Sequence, residues 1–171
     1  AIAPTLGKDF YIMTVRNKLE ELSAVTGNNK LELLKSFKDD EELAATFEAA
    51  YNPNHNFWVS TFPDVPSKMQ NPSVSLLDAI AYIKTIKSRS NKTMTDLAAL
   101  AKKMLKSVED VLRLILAWAL RCGVKVATIN KVWPKLIPEY PTMLCRVADE
   151  KNRKHINFPA FVQTKMDGMR V

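Results

Sequence analysis

Through most of the chain apolar residues return every three or four positions, the pattern of helices that bury one stripe. Phe10, Ile12, Val15, Leu19, Leu22 and Val25 trace a first helix from Asp9 to about Val25, with Glu20 and Glu21 outward and Thr26-Gly27-Asn28-Asn29 ending it. A short second helix is predicted from Lys30 to Phe37. Asp39 then stands as a capping side chain with Glu42 at the third helical position, which predicts a third helix running to Tyr51. Asn52-Pro53-Asn54-His55-Asn56 breaks it, and Phe57-Trp58-Val59-Ser60-Thr61-Phe62 leads into a loop holding Pro63, Pro66 and Pro72. Aromatic residues beside basic ones can stack on bases, but Phe and Trp next to a proline loop are more often a plug in the core, and that reading is preferred.

Leu76, Leu77, Ile80 and Ile83 place a helix from about Leu76 to Ser88. Thr93 or Thr95 is expected to cap the next, ending near Lys106, and Ser107 with Asp110 to cap a helix from Val108 to Cys122. The stretch Val111 to Leu120 is apolar almost all round, so this helix is expected at the centre of the core. Gly123 sits where a glycine closes a helix, and Val124 to Trp133 restarts as a short helix stopped by Pro134. Three prolines between Pro134 and Pro141 read as a linker. Beyond it, Thr142–Ala148 and Ala160–Val171, either side of a polar loop from Asp149 to His155, look like opening strands of a second, β-containing domain. The expected division is 1–133, 134–141 and 142–171.

A chain of 171 residues, 47% apolar, can bury one good core and the start of another. No apolar run is long enough to cross a bilayer and no signal peptide opens the chain, so a soluble intracellular protein is expected. Cys122 and Cys145 suggest free thiols in a reducing compartment, and His55 and His155 have no ligand partners arrayed for zinc. Charge changes the picture more. Residues 1–64 carry 6 basic and 10 acidic side chains, residues 65–171 carry 19 and 8, and the stretch 82–135 alone has 12 basic against 3 acidic. Such a cluster is the footprint of a polyanion partner, although a solvated basic helix face would look the same.

Within that stretch two places suit phosphates. Lys87, Arg89 and Lys92 lie in a segment rich in hydroxyls and amides. At the Gly123 junction a restarting helix would present free N–H groups with Arg121, Lys125, Thr128 and Lys131 around them, a ready anion site, or else an ordinary helix corner facing water. The acidic opening segment is expected to pack and support, without touching nucleic acid.

One further stretch proposes a reaction. In Lys165-Met166-Asp167-Gly168-Met169-Arg170 a lysine follows an apolar run and an Asp-Gly turn could bring Arg170 back beside it. A lysine amine, with a free pKa of about 10.4, attacks only when desolvated or placed near other positive charge. An exposed lysine beside a common hairpin turn is the plain alternative.

The spacing Lys165-x-Asp167-Gly168-x-Arg170 resembles the nucleotide-accepting motif of covalent nucleotidyltransferases. The run Asn130 to Leu144, followed by Phe158-Pro159-Ala160-Phe161, is similar more narrowly to the DNA ligases of T-even bacteriophages. The resemblance is close from about Asp110 to Arg170 and fainter from Glu41 to Leu105. It implies a mainly α chain: an all-helical DNA-binding domain followed by the first β-strands of a truncated α+β nucleotidyltransferase domain. It further implies an ATP-dependent DNA ligase in which Lys165 takes AMP from ATP, passes it to a 5′-phosphate at a nick, and a 3′-hydroxyl displaces it, with Mg²⁺ offsetting phosphate charge. Asp167 and Gly168 would shape the pocket, Arg170 would contact the nucleotide, and Gln163 stands where the family often has Glu to read adenine. No metal ligand is expected before Val171, so residues 1–171 alone are expected to be inactive. The implied partners are nicked duplex DNA and ATP, with a replication accessory protein as a further candidate, and the implied setting is a monomer in the cytoplasm of a phage-infected bacterium serving repair, replication and recombination. Two other readings stay open: a stand-alone DNA-binding module, and a helical domain whose basic face meets an acidic protein.

Overall fold

The computed structural model describes residues 14–65, 72–140 and 149–161. Two compact units divide between Pro138 and Glu139, inside the proline-rich segment 134–141.

Among its described residues the first unit holds seven helices: α1 (Val15–Ala24), α2 (Asn28–Ser36), α3 (Glu41–Tyr51), α4 (Leu76–Thr85), α5 (Asn91–Lys102), α6 (Lys106–Leu116) and α7 (Val126–Val132). Helix α6 is the centre, packing on α1, α3 and α4, while α2 bridges α1 and α7. Its Val111, Leu112, Ile115 and Leu116 are buried as one stripe, and they meet a core that includes Leu22, Leu34, Leu43, Phe47, Ile83, Leu97 and Ile129. Each such side chain contributes roughly 1.5–3 kcal/mol by leaving water, which sets this stripe well above any surface contact.

Capping is local and strong, though not where the sequence suggests. Asp40, rather than Asp39, accepts from Leu43 N–H to start α3, and its other oxygen pairs with Lys18 of α1. Ser90, rather than Thr93 or Thr95, caps α5 by accepting from Thr93 N–H at 3.1 Å. Helix α6 begins after Leu105 with no side-chain cap, so the Ser107–Asp110 signature is not used. Helix α6 also stops at Leu116, well short of Cys122. Trp118 and Arg121 take positive φ of 52° and 54°, left-handed backbone that costs a non-glycine residue roughly 1–2 kcal/mol and cannot continue a helix. Gly123 shares that conformation at φ 63°, within a turn rather than as a helix cap.

The aromatic segment after α3 is only partly a core plug. Val59 and Phe62 are buried and Phe57 is half-buried against Trp118, centroids 5.2 Å apart, but Trp58 is 54% exposed. Past α7 the chain stays folded: Asn130 donates to Ile137 O at 2.9 Å and accepts from Ile137 N–H at 3.0 Å, Ile137 is buried, and Trp133 donates its indole N–H to Lys38 O.

In the second unit, described at 139–140 and 149–161, Asp149 caps a short helix α8 (Glu150–Arg153) where a polar loop is expected. The chain is mainly helical and no strand forms among the described residues. The expected strand Thr142–Ala148 lies outside them, as does Ala160–Val171 apart from Ala160 and Phe161, neither of which is in a strand.

Candidate nucleic-acid interface

The turn between α6 and α7 is built by three left-handed residues within six positions, Trp118, Arg121 and Gly123. Strain of that kind persists only where the surroundings hold it. Lys30 of α2 does so, donating from Nζ to Cys122 O at 2.8 Å and to Gly123 O at 3.3 Å. Tyr51 lies beside the buried Cys122 thiol. Burial, helped by that thiol, pushes the Tyr51 hydroxyl pKa well above its ordinary value, so it remains a neutral partner. A Cβ on Gly123 would sit 2.9 Å from Lys30 Nζ and displace that ammonium group, while the φ of 63° is what calls for glycine.

An open trough of about 500 Å³ results between the start of α2 and the start of α7. Thr26, Gly27, Asn28, Lys30 and Leu31 form one wall, and Gly123, Val124, Lys125, Thr128 and Lys131 the other. Its lining therefore holds three lysines, the Thr128 hydroxyl and the Asn28 amide, and no carboxylate. Neither helix start is closed by a side-chain cap: Gly27, with φ 65°, stands just before α2, and Lys125 just before α7. Lys125 and Lys131 are exposed and Thr128 is half-buried, so these groups face solvent rather than core.

Of the residues picked from sequence, the structure thus brings Gly123, Lys125, Thr128 and Lys131 together. Arg121 is exposed but borders a separate hollow with Arg16, Glu20 and Leu114. Lys87, Arg89 and Lys92 are exposed around the α4–α5 connection and do not line the trough. The acidic opening segment, expected only to pack and support, supplies half of the lining, through Thr26, Gly27, Asn28, Lys30 and Leu31. Lys30 escapes sequence reasoning because it meets Cys122 across 92 positions. Gln163, Lys165, Asp167, Gly168 and Arg170 all lie outside the described residues. Among the described residues no group of three His, Cys, Asp or Glu could hold a metal, and no helix is long and apolar enough to cross a membrane.

Fold and site together define a helical domain with an open, positively charged trough. No family model matches the chain. Over 165 residues, 93% of its length, it is 32% identical to the DNA ligase of Enterobacteria phage T4 and equally to that of Enterobacteria phage T6. The chain is a homologue of these phage DNA ligases, and spans 34% of the length of each. Among solved structures, a chain named Pmar-Lig_PreS3 shares the fold at a TM-score of 0.58 and 21% identity, with 72% of this chain and 31% of that one covered.

Proposed function

We propose that the helical unit is the DNA-gripping part of an ATP-dependent DNA ligase that seals nicks in duplex DNA. The observation that carries this reading is the trough at the Gly123 corner, open, lined by Lys30, Lys125 and Lys131 and free of carboxylates, in a homologue of phage DNA ligases. A ligase accepts any sequence beside a nick, so it must hold phosphates rather than base edges, and lysine ammonium groups around an open trough do that. Lys87, Arg89, Lys92 and Arg121 extend the positive surface for the same backbone. Residues 142–171 then belong to the start of a nucleotidyltransferase domain.

There Lys165 is the nucleophile that takes AMP from ATP with release of pyrophosphate, Asp167 and Gly168 shape the pocket around it, and Arg170 and Gln163 contact the nucleotide. Mg²⁺, when bound, offsets the phosphate charge during transfer. In any longer chain that carries this stretch, incubation with α-labelled ATP is expected to leave a covalent AMP adduct that Lys165→Ala abolishes; an adduct surviving that change would remove Lys165 from the reaction.

The grip is tested by charge reversal. Lys125→Glu with Lys131→Glu is expected to weaken binding to nicked duplex at least tenfold while circular dichroism stays helical. Unchanged affinity would favour the trough as a seat for an acidic protein instead.

A further inference from the structure

We propose that Lys30 itself contacts the nucleic-acid backbone, and that the trough between α2 and α7 is a prepared seat for a phosphodiester group. This deepens the DNA-binding reading and rests on it. An ammonium group has three N–H donors. Two of those on Lys30 are used on Cys122 O and Gly123 O, which leaves one donor on a cation whose position is already fixed. The other lysines that line the trough, Lys125 and Lys131, come from the opposite wall, with the Thr128 hydroxyl beside them and the Asn28 amide on the side of Lys30.

Fixing the cation beforehand matters because an exposed lysine gives up rotamer freedom when it binds, roughly 0.5–1.5 kcal/mol for a long side chain. Lys30 has given that up on folding, through two bonds to the strained turn. The lining also distinguishes the ligand. An acidic peptide needs a buried apolar or aromatic anchor to bind well, and the trough offers only Leu31 and Val124 as large apolar side chains. A phosphodiester needs only donors and positive charge, with open ends through which the strand continues.

The test reads affinity for nicked duplex DNA, by fluorescence anisotropy at several KCl concentrations, for the 171-residue chain and three variants. Lys30→Gln keeps an amide donor and removes the charge, Lys30→Arg keeps the charge, and Lys35→Gln alters an α2 lysine that pairs with Glu32 and does not line the trough. One lost phosphate contact lowers the slope of log affinity against log salt by about 0.9. The slope is expected to fall by that amount in Lys30→Gln and to stay near the parent value in Lys30→Arg and Lys35→Gln. A Lys30→Gln slope equal to a steep parent slope would overturn the Lys30 assignment and leave the DNA-binding reading standing, whereas a flat parent slope would sink both. Loss of the fold in both Lys30 variants would mark a purely structural lysine and overturn the proposal as well.

Discussion

Glu48 shows how single side chains hold this unit. It accepts from Lys84 and Asn52 and faces His55 Nε2 at 2.6 Å, so it links α3, α4 and the chain break that follows α3. Because a carboxylate only accepts, the His55 nitrogen facing it carries the proton. Burial pushes the Glu48 pKa up, but the hydrogen bonds from Lys84, Asn52 and His55 and the Lys84 charge outweigh it, leaving the carboxyl below its ordinary value of 4.5. A carboxyl whose pKa is lower folded than unfolded adds stability that is complete above the unfolded value and is lost as pH falls through the folded one. Stability is therefore expected to drop as pH goes below about 4.5, and Glu48→Gln to flatten that drop; the urea midpoint at pH 7 and pH 3.5 reads it. An equal loss in both proteins would count against this role. At the same scale, Lys125, Thr128 and Lys131 were legible because they follow closely on the Gly123 junction along the chain, whereas Lys30 was not, since its partners are set by the tertiary fold.

Among the elements, α6 carries the most. Its Glu109 is 2% exposed and accepts from Arg113 at 2.8 Å and Lys106 at 3.2 Å, while Arg113 also donates to Phe62 O and Pro63 O and pairs with Asp64. One arginine thus neutralises a buried carboxylate and ties the segment after α3 to the central helix. Arg113→Met would take the arginine from Glu109 and keep Lys106 beside it, which is 66% exposed. The expected loss is about 3 kcal/mol, the low end for a broken buried pair because a cation remains. Urea denaturation measures it, and a change below about 0.5 kcal/mol would contradict the tie, since surface substitutions fall in that range. The sequence made the helices legible because their buried stripes repeat at 3.6 residues. It misplaced caps where two candidates stood side by side, as with Asp39 and Asp40. It ran α6 on to Cys122 because Leu120, Cys122 and Val124 keep the chain apolar while the backbone at Trp118 and Arg121 has left the helix, and nothing in those two residue types announces a left-handed turn.

For the whole molecule, uneven charge and folding together make the trough. The first 64 residues are acidic in sum, yet they contribute Lys30 to a positive surface otherwise drawn from the basic stretch 82–135. Net charge along the sequence therefore matches the sign of the second wall and not that of the first, because summed charge says nothing of which side a given lysine faces. The central claim is that this unit grips DNA through phosphates. It is tested most directly by the affinity of the chain for two duplexes of unrelated sequence, measured across a range of salt. Three lysines meeting phosphates give a log–log slope of at least about −2.7, at about 0.9 per phosphate, and the account expects that slope for both duplexes with affinities equal within about threefold. A flat salt dependence, or strong preference for one sequence, would contradict it.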